Sequence, residues 1–264
     1  MDLKLKNKRI FISGSTSGIG YATAKCLLKE GATIILNGRT ELSVTDAVKR
    51  LQSEFPRHNI SGVPANFQNK DEVKMICNTV NEVDILINNV GVYKAASFFE
   101  MDDEEWLKQF TINVMSGVRL SRHFMPKMLE NNWGRIIFIS SECAALVPPD
   151  MLAYSMTKTA IISIAKGLAQ LTKATGVTVN TVLPGSTLTE GAKIFLENEA
   201  LKSEKSKEAI AANFFKDVRT SSLLQRFATV DEVATTISYY CSPLSAVTNG
   251  AVIKVDGGST AGIF

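Results

Sequence analysis

Arg9-Ile10-Phe11-Ile12-Ser13-Gly14-Ser15-Thr16-Ser17-Gly18-Ile19-Gly20 passes from an apolar segment directly into three glycines spaced G-x-x-x-G-x-G. The apolar part reads as a strand, Arg9–Ser13, and the residues from Gly18 to Glu30 read as a helix closed by Gly31. Glycines at such a junction let the backbone turn sharply and come close to a phosphate. The helix behind them aims its N-terminal N–H groups and its dipole at negative charge. A merely flexible turn would use the same residues, but their place between strand and helix, in the first βα unit, favours a nucleotide site.

Outward from this stretch, short apolar runs alternate with helical patterns. Further strands are read at Thr33–Leu36, Ile60–Val63, Ile85–Asn88, Arg135–Ser140, Val177–Leu183 and Val252–Val255. Helices are read at Thr40–Phe55, Lys70–Val80, Asp102–Leu129, Tyr154–Thr175 and Asp231–Tyr240. The alternation predicts an α/β fold, a central parallel sheet with helices on both faces in the doubly wound arrangement. All 264 residues are expected in a single domain, since the chain shows neither an internal repeat nor a low-complexity linker. One polar, charged and helix-prone segment, 189–222, breaks the rhythm after a strand's C-terminal end, where it is well placed to cover a ligand.

Composition narrows the function classes. Hydrophobic residues make up 45% and charged residues 21%, enough apolar material for a sizeable core. The net charge is +3, with 29 Lys and Arg spread among 26 Asp and Glu and no dense cationic block, so nucleic acid is not an expected partner. Cys26, Cys77, Cys143 and Cys241 form no C-x-x-C pair, and with only His58 and His123 beside them no metal site is expected. Free thiols, a charged N-terminal segment without an apolar signal region, and no apolar run near the roughly 18 residues of a membrane span predict a soluble cytoplasmic protein.

The chemistry is suggested first by Tyr154 and Lys158. A phenol has an unperturbed pKa of about 10 and is a poor acid or base at neutral pH. A lysine four residues on lies on the same helical face, and its charge favours the phenolate. Tyr-x-x-x-Lys is common, and chance placement on a helix would explain it alone. Its company is what matters: Gly14–Gly20, Asn88-Asn89-Val90-Gly91, Asn113, Ser141, Tyr154, Lys158 and Pro184-Gly185 occur in this order across the chain. In that joint pattern the chain resembles a classical short-chain dehydrogenase/reductase over nearly its whole length.

The resemblance implies a Rossmann-type fold and a set of roles. Ser141 would hydrogen-bond the substrate oxygen and stabilise negative charge developing there. Its neighbour Ser140 lies one residue off the family's spacing to the tyrosine. Tyr154 would give or take the proton. Lys158 would lower the tyrosine's pKa and hold the nicotinamide ribose, and Asn113 would hold a relay water. Gly14, Ser15, Thr16, Ser17, Gly18, Ile19 and Gly20 would cradle the pyrophosphate. Asn89 and Gly91 would border the adenosine side, with Val90 in place of the usual alanine, and Asn66 would touch adenine where an aspartate is common. Pro184, Gly185, Thr187 and Thr189 would flank the nicotinamide, Gly185 approaching the ring because it has no side chain.

Cofactor choice turns on Asn37-Gly38-Arg39-Thr40. NAD-preferring members place a carboxylate here, and this chain has none. Arg39 can grip a 2′-phosphate and Thr40 can add a hydroxyl, which favours NADP(H). Phe195, Leu196, Phe214 and Phe215 supply apolar groups to the expected lid, and Glu142, Met151 and Leu152 lie where the pocket would be shaped. The expected activity is hydride transfer between NADP(H) and a carbonyl or secondary alcohol, with a 3-oxoacyl thioester or small ketone as substrate. The rivals are an NAD-dependent alcohol or sugar dehydrogenase and a non-catalytic nucleotide-binding regulator. The resemblance further implies a homotetramer or homodimer.

Overall fold

The protein was analysed as a computed structural model, which describes residues 1–262. Its seven strands are β1 (Arg9–Ile12), β2 (Thr33–Gly38), β3 (Ile60–Pro64), β4 (Ile85–Asn88), β5 (Gly134–Ile139), β6 (Val177–Pro184) and β7 (Val252–Val255). They form one sheet in the order β3-β2-β1-β4-β5-β6-β7, and every pairing is parallel. The order reverses at β1, which has β2 on one side and β4 on the other. The crevice outside the strands' C-terminal ends at that point is where such sheets bind ligands.

Strand side chains alternate between two apolar layers, as a period of two requires. Ile10, Ile12, Ile34, Leu36, Ile85, Ile87, Ile137 and Ile139 face one side. There they meet α1 (Gly18–Lys29) through Ala24, Leu27 and Leu28, and α2 (Glu41–Glu54) through Ala47 and Leu51. Phe11, Ile35, Leu86, Ile136 and Phe138 face the other side, against Val73 and Ile76 of α3 (Lys70–Thr79). With both faces covered, the strands carry near-continuous Ile and Val runs.

The segment expected as one helix over Asp102–Leu129 is three pieces. α4 (Asp103–Phe110) is capped by Asp102 and followed by a π-helical turn, Thr111–Met115, before α5 (Ser116–Glu130). Apolar periodicity is nearly unchanged by a single π turn, so the pattern could not register it. A four-residue helix, α6 (Cys143–Leu146), was also not expected. The next helix is α7 (Leu152–Gln170), which starts two residues before Tyr154 and ends five before Thr175.

After β6 the chain makes an excursion through α8 (Glu190–Ser203) and α9 (Lys207–Asn213), ending in a second π turn, Phe214–Val218. The two ends of the excursion are clasped by a parallel bridge between Thr187 and Ala228, with Leu188 N donating to Ala228 O and Ala228 N to Ser186 O. Phe214 stacks on Phe227 at 5.1 Å, and Phe215 meets Phe227 edge-on at 5.0 Å, which gives the segment its own aromatic core. α10 (Val230–Cys241) follows, entered through a capping box of Thr229 and Glu232, and packs Val233 and Ile237 into the layer that holds α1. No helix among the described residues is long and apolar enough to cross a membrane.

Candidate active site

The glycine-rich turn lies at the C-terminal end of β1, and its shape is fixed from several sides. Gly14 and Gly18 have φ near +60°, which disfavours any side chain. Asn37, buried at the end of β2, accepts from Gly14 N at 3.1 Å and donates to Val63 O at 3.0 Å. Asn89 donates to Ser13 O and Gly14 O at 3.1 and 2.7 Å, while Asn89 N and Val90 N both donate to Ser13 Oγ. Ser15 Oγ donates to Ile12 O at 2.7 Å. A Cβ on Gly20 would sit 2.6 Å from Asn89 Nδ2 and 2.7 Å from Gly14 O.

Ser17, the N-cap of α1, makes no side-chain cap, and the helix carries no acid in its first turn. Its first N–H groups therefore have no capping side chain from their own turn, which suits an anion such as a pyrophosphate, and the Glu190 carboxylate of α8 stands at the rim, 3.6 Å from where a Cβ on Gly18 would lie. Ser15, within the turn, and Asn89, after β4, are committed to bracing it, while Thr16 and Ser17 line the opening and Ile19 packs against the core. An open cavity of about 610 Å³ beside it is lined by Thr16, Ser17, Ser43, Asp46, Lys49 and Arg50.

At the end of β2, Gly38 has no room for a side chain: a Cβ there would meet Thr16 Cγ2 at 2.4 Å and Ser43 Oγ at 3.1 Å. Arg39 is exposed, and Thr40 caps α2, accepting from Ser43 N at 3.3 Å. Arg50, on α2, donates to Thr16 O at 2.8 Å and lies over the Tyr21 ring at 4.5 Å. Nothing local in the sequence marks Arg50, because its partner is 34 residues away. Asn66 closes a turn, its Oδ1 accepting from Gln68 N at 3.1 Å and its backbone N donating to Glu72 Oε2 at 2.7 Å.

The residues expected to handle the proton gather at the C-terminal ends of β4 and β5. Asn113 sits in the first π turn and is buried; its Oδ1 accepts from Val92 N at 2.8 Å, and its Nδ2 donates to Val92 O and Thr157 Oγ1, both at 2.9 Å. π turns recur at functional sites because they rotate a side chain off the regular helical face. Lys158 is buried, donates to Ile139 O at 2.9 Å, and lies 5.5 Å from the centroid of the Tyr154 ring. A Cβ at Gly91 would be 3.1 Å from Lys158 Nζ and 3.8 Å from Asn113 Oδ1, so both groups converge on this bare backbone.

The two serines after β5 separate cleanly. Ser140 Oγ donates to Lys158 O at 2.8 Å, tying α7 to the sheet. Ser141 is only partly buried; its Oγ accepts from Cys143 N at 3.2 Å and interacts with the Tyr154 hydroxyl. The position facing the tyrosine is thus that of Ser141.

Two sequence expectations need correction. The first is that Lys158 brings the Tyr154 phenol downward; burial instead pushes it above its usual range, with Ser141 opposing the shift only in part. Burial also pulls Lys158 down, to about 8, which weakens the charge that was to favour the phenolate. The second concerns Gly185, whose missing side chain faces the backbone of Asp256, where a Cβ would lie 2.7 Å from Cα. The glycine permits the close approach of the chain after β6 to the end of β7. Pro184 is buried at the end of β6, Thr187 donates to Gly185 O at 2.9 Å, and Thr189 caps α8 over Gly18.

A neighbouring ion pair joins the site to the segment 189–222. Glu142 Oε1 accepts from Arg219 Nε at 2.8 Å and from Ser186 Oγ at 2.9 Å, and Glu142 N donates to Pro184 O. Arg219 also lies over Phe214 at 5.6 Å. Sequence reading placed Glu142 near the pocket but gave no sign of Arg219, 77 residues away.

A sheet that switches at β1, a phosphate-accepting turn there and a Ser–Tyr–Lys–Asn cluster beside it define a nicotinamide-dependent oxidoreductase. Residues 8–200 match the short chain dehydrogenase family model, and the chain belongs to that family. It is 45% identical over 261 residues to the uncharacterised oxidoreductase YvrD of Bacillus subtilis strain 168, covering 98% of each chain. With YvaG of the same organism, another uncharacterised oxidoreductase, the identity is 39% over the full length of both. Among solved structures, L-sorbose reductase from Gluconobacter frateurii, complexed with NADPH and L-sorbose, superposes with a TM-score of 0.93 at 27% identity and full coverage of both chains.

Proposed function

We propose that the protein transfers hydride between NADP(H) and the carbon of a carbonyl or secondary alcohol. The observation that carries this reading is the convergence of Lys158 and Asn113 over Gly91, with the Tyr154 ring centroid 5.5 Å from Lys158 Nζ. Bound nicotinamide supplies the hydride; the residues of the chain position the substrate and handle the proton. Ser141 donates to the carbonyl oxygen, where negative charge develops. Tyr154 delivers the proton to that oxygen. Its raised pKa keeps the phenol protonated at neutral pH, which suits reduction. Lys158 holds the ribose hydroxyls and supplies positive charge, and Asn113 keeps the Val92 backbone and Thr157 in place beneath them.

The preference for NADP(H) is supported by the end of β2. A carboxylate for the ribose hydroxyls needs space that Gly38 lacks, and Arg39 stands at the positive end of α2. Arg50 and Lys49 bring positive charge, beside Asp46, to the cavity next to the glycine-rich turn. The segment 189–222 would act as the substrate lid. A cytoplasmic homotetramer or homodimer belongs to the same reading, and exposed Leu107, Leu171 and Val247 offer apolar surface for it.

Tyr154→Phe tests the assignment. The variant should bind NADPH with a Kd near that of wild type, while kcat for ketone reduction falls about 10²–10⁴-fold. Retention of full turnover across a carbonyl panel would remove Tyr154 from its role.

A further inference from the structure

Glu142 is the residue after Ser141, and its side chain is almost wholly buried. One carboxylate oxygen is engaged by Arg219 and Ser186. The other, Oε2, is buried and has no hydrogen-bond partner among the described residues. A buried carboxylate oxygen without a donor is costly, and native folds seldom leave one so. The backbone has already been served, since Glu142 N bonds to Pro184 O. Ionic balance has been served too, because Arg219 neutralises the charge. What is missing is one neutral donor.

The location says what would bring it. Ser141 and Tyr154 fix the place of the carbonyl, and adjacent Cα atoms are only about 3.8 Å apart. Glu142 also lies close enough for its charge to act on Tyr154. On the opposite side stand Arg219 and the lid's aromatic cluster, so the acceptor lies where the chain after β5, the chain after β6 and the lid meet. We infer that Glu142 Oε2 accepts a hydrogen bond from a hydroxyl on the carbon next to the reacting carbonyl, making α-hydroxyketones, or vicinal diols in the reverse direction, the preferred substrate class. An acidic substrate is disfavoured by the same atom, because a substrate carboxylate would face a fixed carboxylate. An unsubstituted alkyl ketone would leave the acceptor buried and unsatisfied. The inference rests on the hydride-transfer reading above.

Hydroxyacetone and 2-butanone test it, since they differ only by OH for CH₃ beside the carbonyl. With NADPH, the wild-type enzyme should favour hydroxyacetone in kcat/KM by about 10- to 100-fold. Glu142→Leu leaves neither donor nor acceptor at this place, whereas a glutamine NH₂ would still donate to the hydroxyl oxygen. In Glu142→Leu the ratio should then fall toward one, mainly through KM. Calorimetric titration of hydroxyacetone into the enzyme–NADP⁺ complex should show the same loss of affinity without turnover. If Glu142 is only a brace, both substrates decline together and the ratio is kept, which overturns the inference. Equal use of the two ketones by wild type also overturns it and points to water on Oε2, with the hydride-transfer reading intact. Turnover of neither ketone, nor of any carbonyl in a broad panel, overturns both.

Discussion

The Lys158 ammonium donates to Ile139 O at 2.9 Å and lies beside Gly91 and 5.5 Å from the Tyr154 ring centroid. Removing an ammonium from water disfavours its charged form, and burial lowers Lys158 to about 8. The sign follows directly: the lysine is charged below about pH 8 and loses its proton above it. kcat/KM for NADPH, which reports the free enzyme, should therefore fall on the alkaline side with an inflection near pH 8. A profile flat from pH 6 to 9.5 would mean that the Lys158 charge does not assist the cofactor. The same residue pair shows the limit of spacing arguments. Four residues along a helix place Lys158 beside Tyr154, but spacing carries no information about dielectric, and burial moves the phenol upward.

At the scale of elements, the proposed preference for NADP(H) belongs to β2 and α2 acting together. β2 ends at Gly38, where packing against Thr16 and Ser43 excludes a carboxylate, and α2 begins at Thr40 with its positive end outward. Arg39 sits between them. Arg39→Ala should weaken NADPH about tenfold or more while leaving NADH within about twofold, because a charge-assisted phosphate contact contributes roughly 1.5–3 kcal/mol. Fluorescence titration with each cofactor gives the comparison. An equal loss for both would assign Arg39 to the turn instead of the phosphate. Most of this was legible: the glycines, Arg39 and the strand ends are consecutive in the chain. The π turn at Thr111–Met115 was not, because one widened turn leaves the apolar spacing of α4 and α5 nearly intact. Arg50 was not either, since its contact with Thr16 joins α2 to the first turn through space.

For the whole molecule, Arg135 is a central brace far from the chemistry. It is fully buried on β5, donates to Gly134 O, Gly176 O and Ser242 O, and lies 4.9 Å from the Trp133 ring centroid, with Lys8 over the same ring. It thereby joins β5 to the approach of β6 and to the end of α10. Arg135→Met keeps the volume but strips three carbonyls of donors, for an expected loss of about 3 kcal/mol. Urea unfolding would read this as a lower midpoint at unchanged slope, and an unchanged midpoint would show that those carbonyls find other partners.

From the sequence alone came the parallel α/β architecture, the glycine-rich turn between β1 and α1, and the proposal of the Asn113, Ser141, Tyr154 and Lys158 set. The architecture rests on local periodicity, and the four-residue set on the resemblance carried by motifs that follow one another in order along the chain. Only the tertiary structure decided which of Ser140 and Ser141 faces the tyrosine, what the missing side chain of Gly185 makes room for, and that Arg219 closes on Glu142 across 77 residues. Those outcomes depend on burial and on through-space contacts between distant segments, and these exist only once the sheet, α7 and the lid segment have packed.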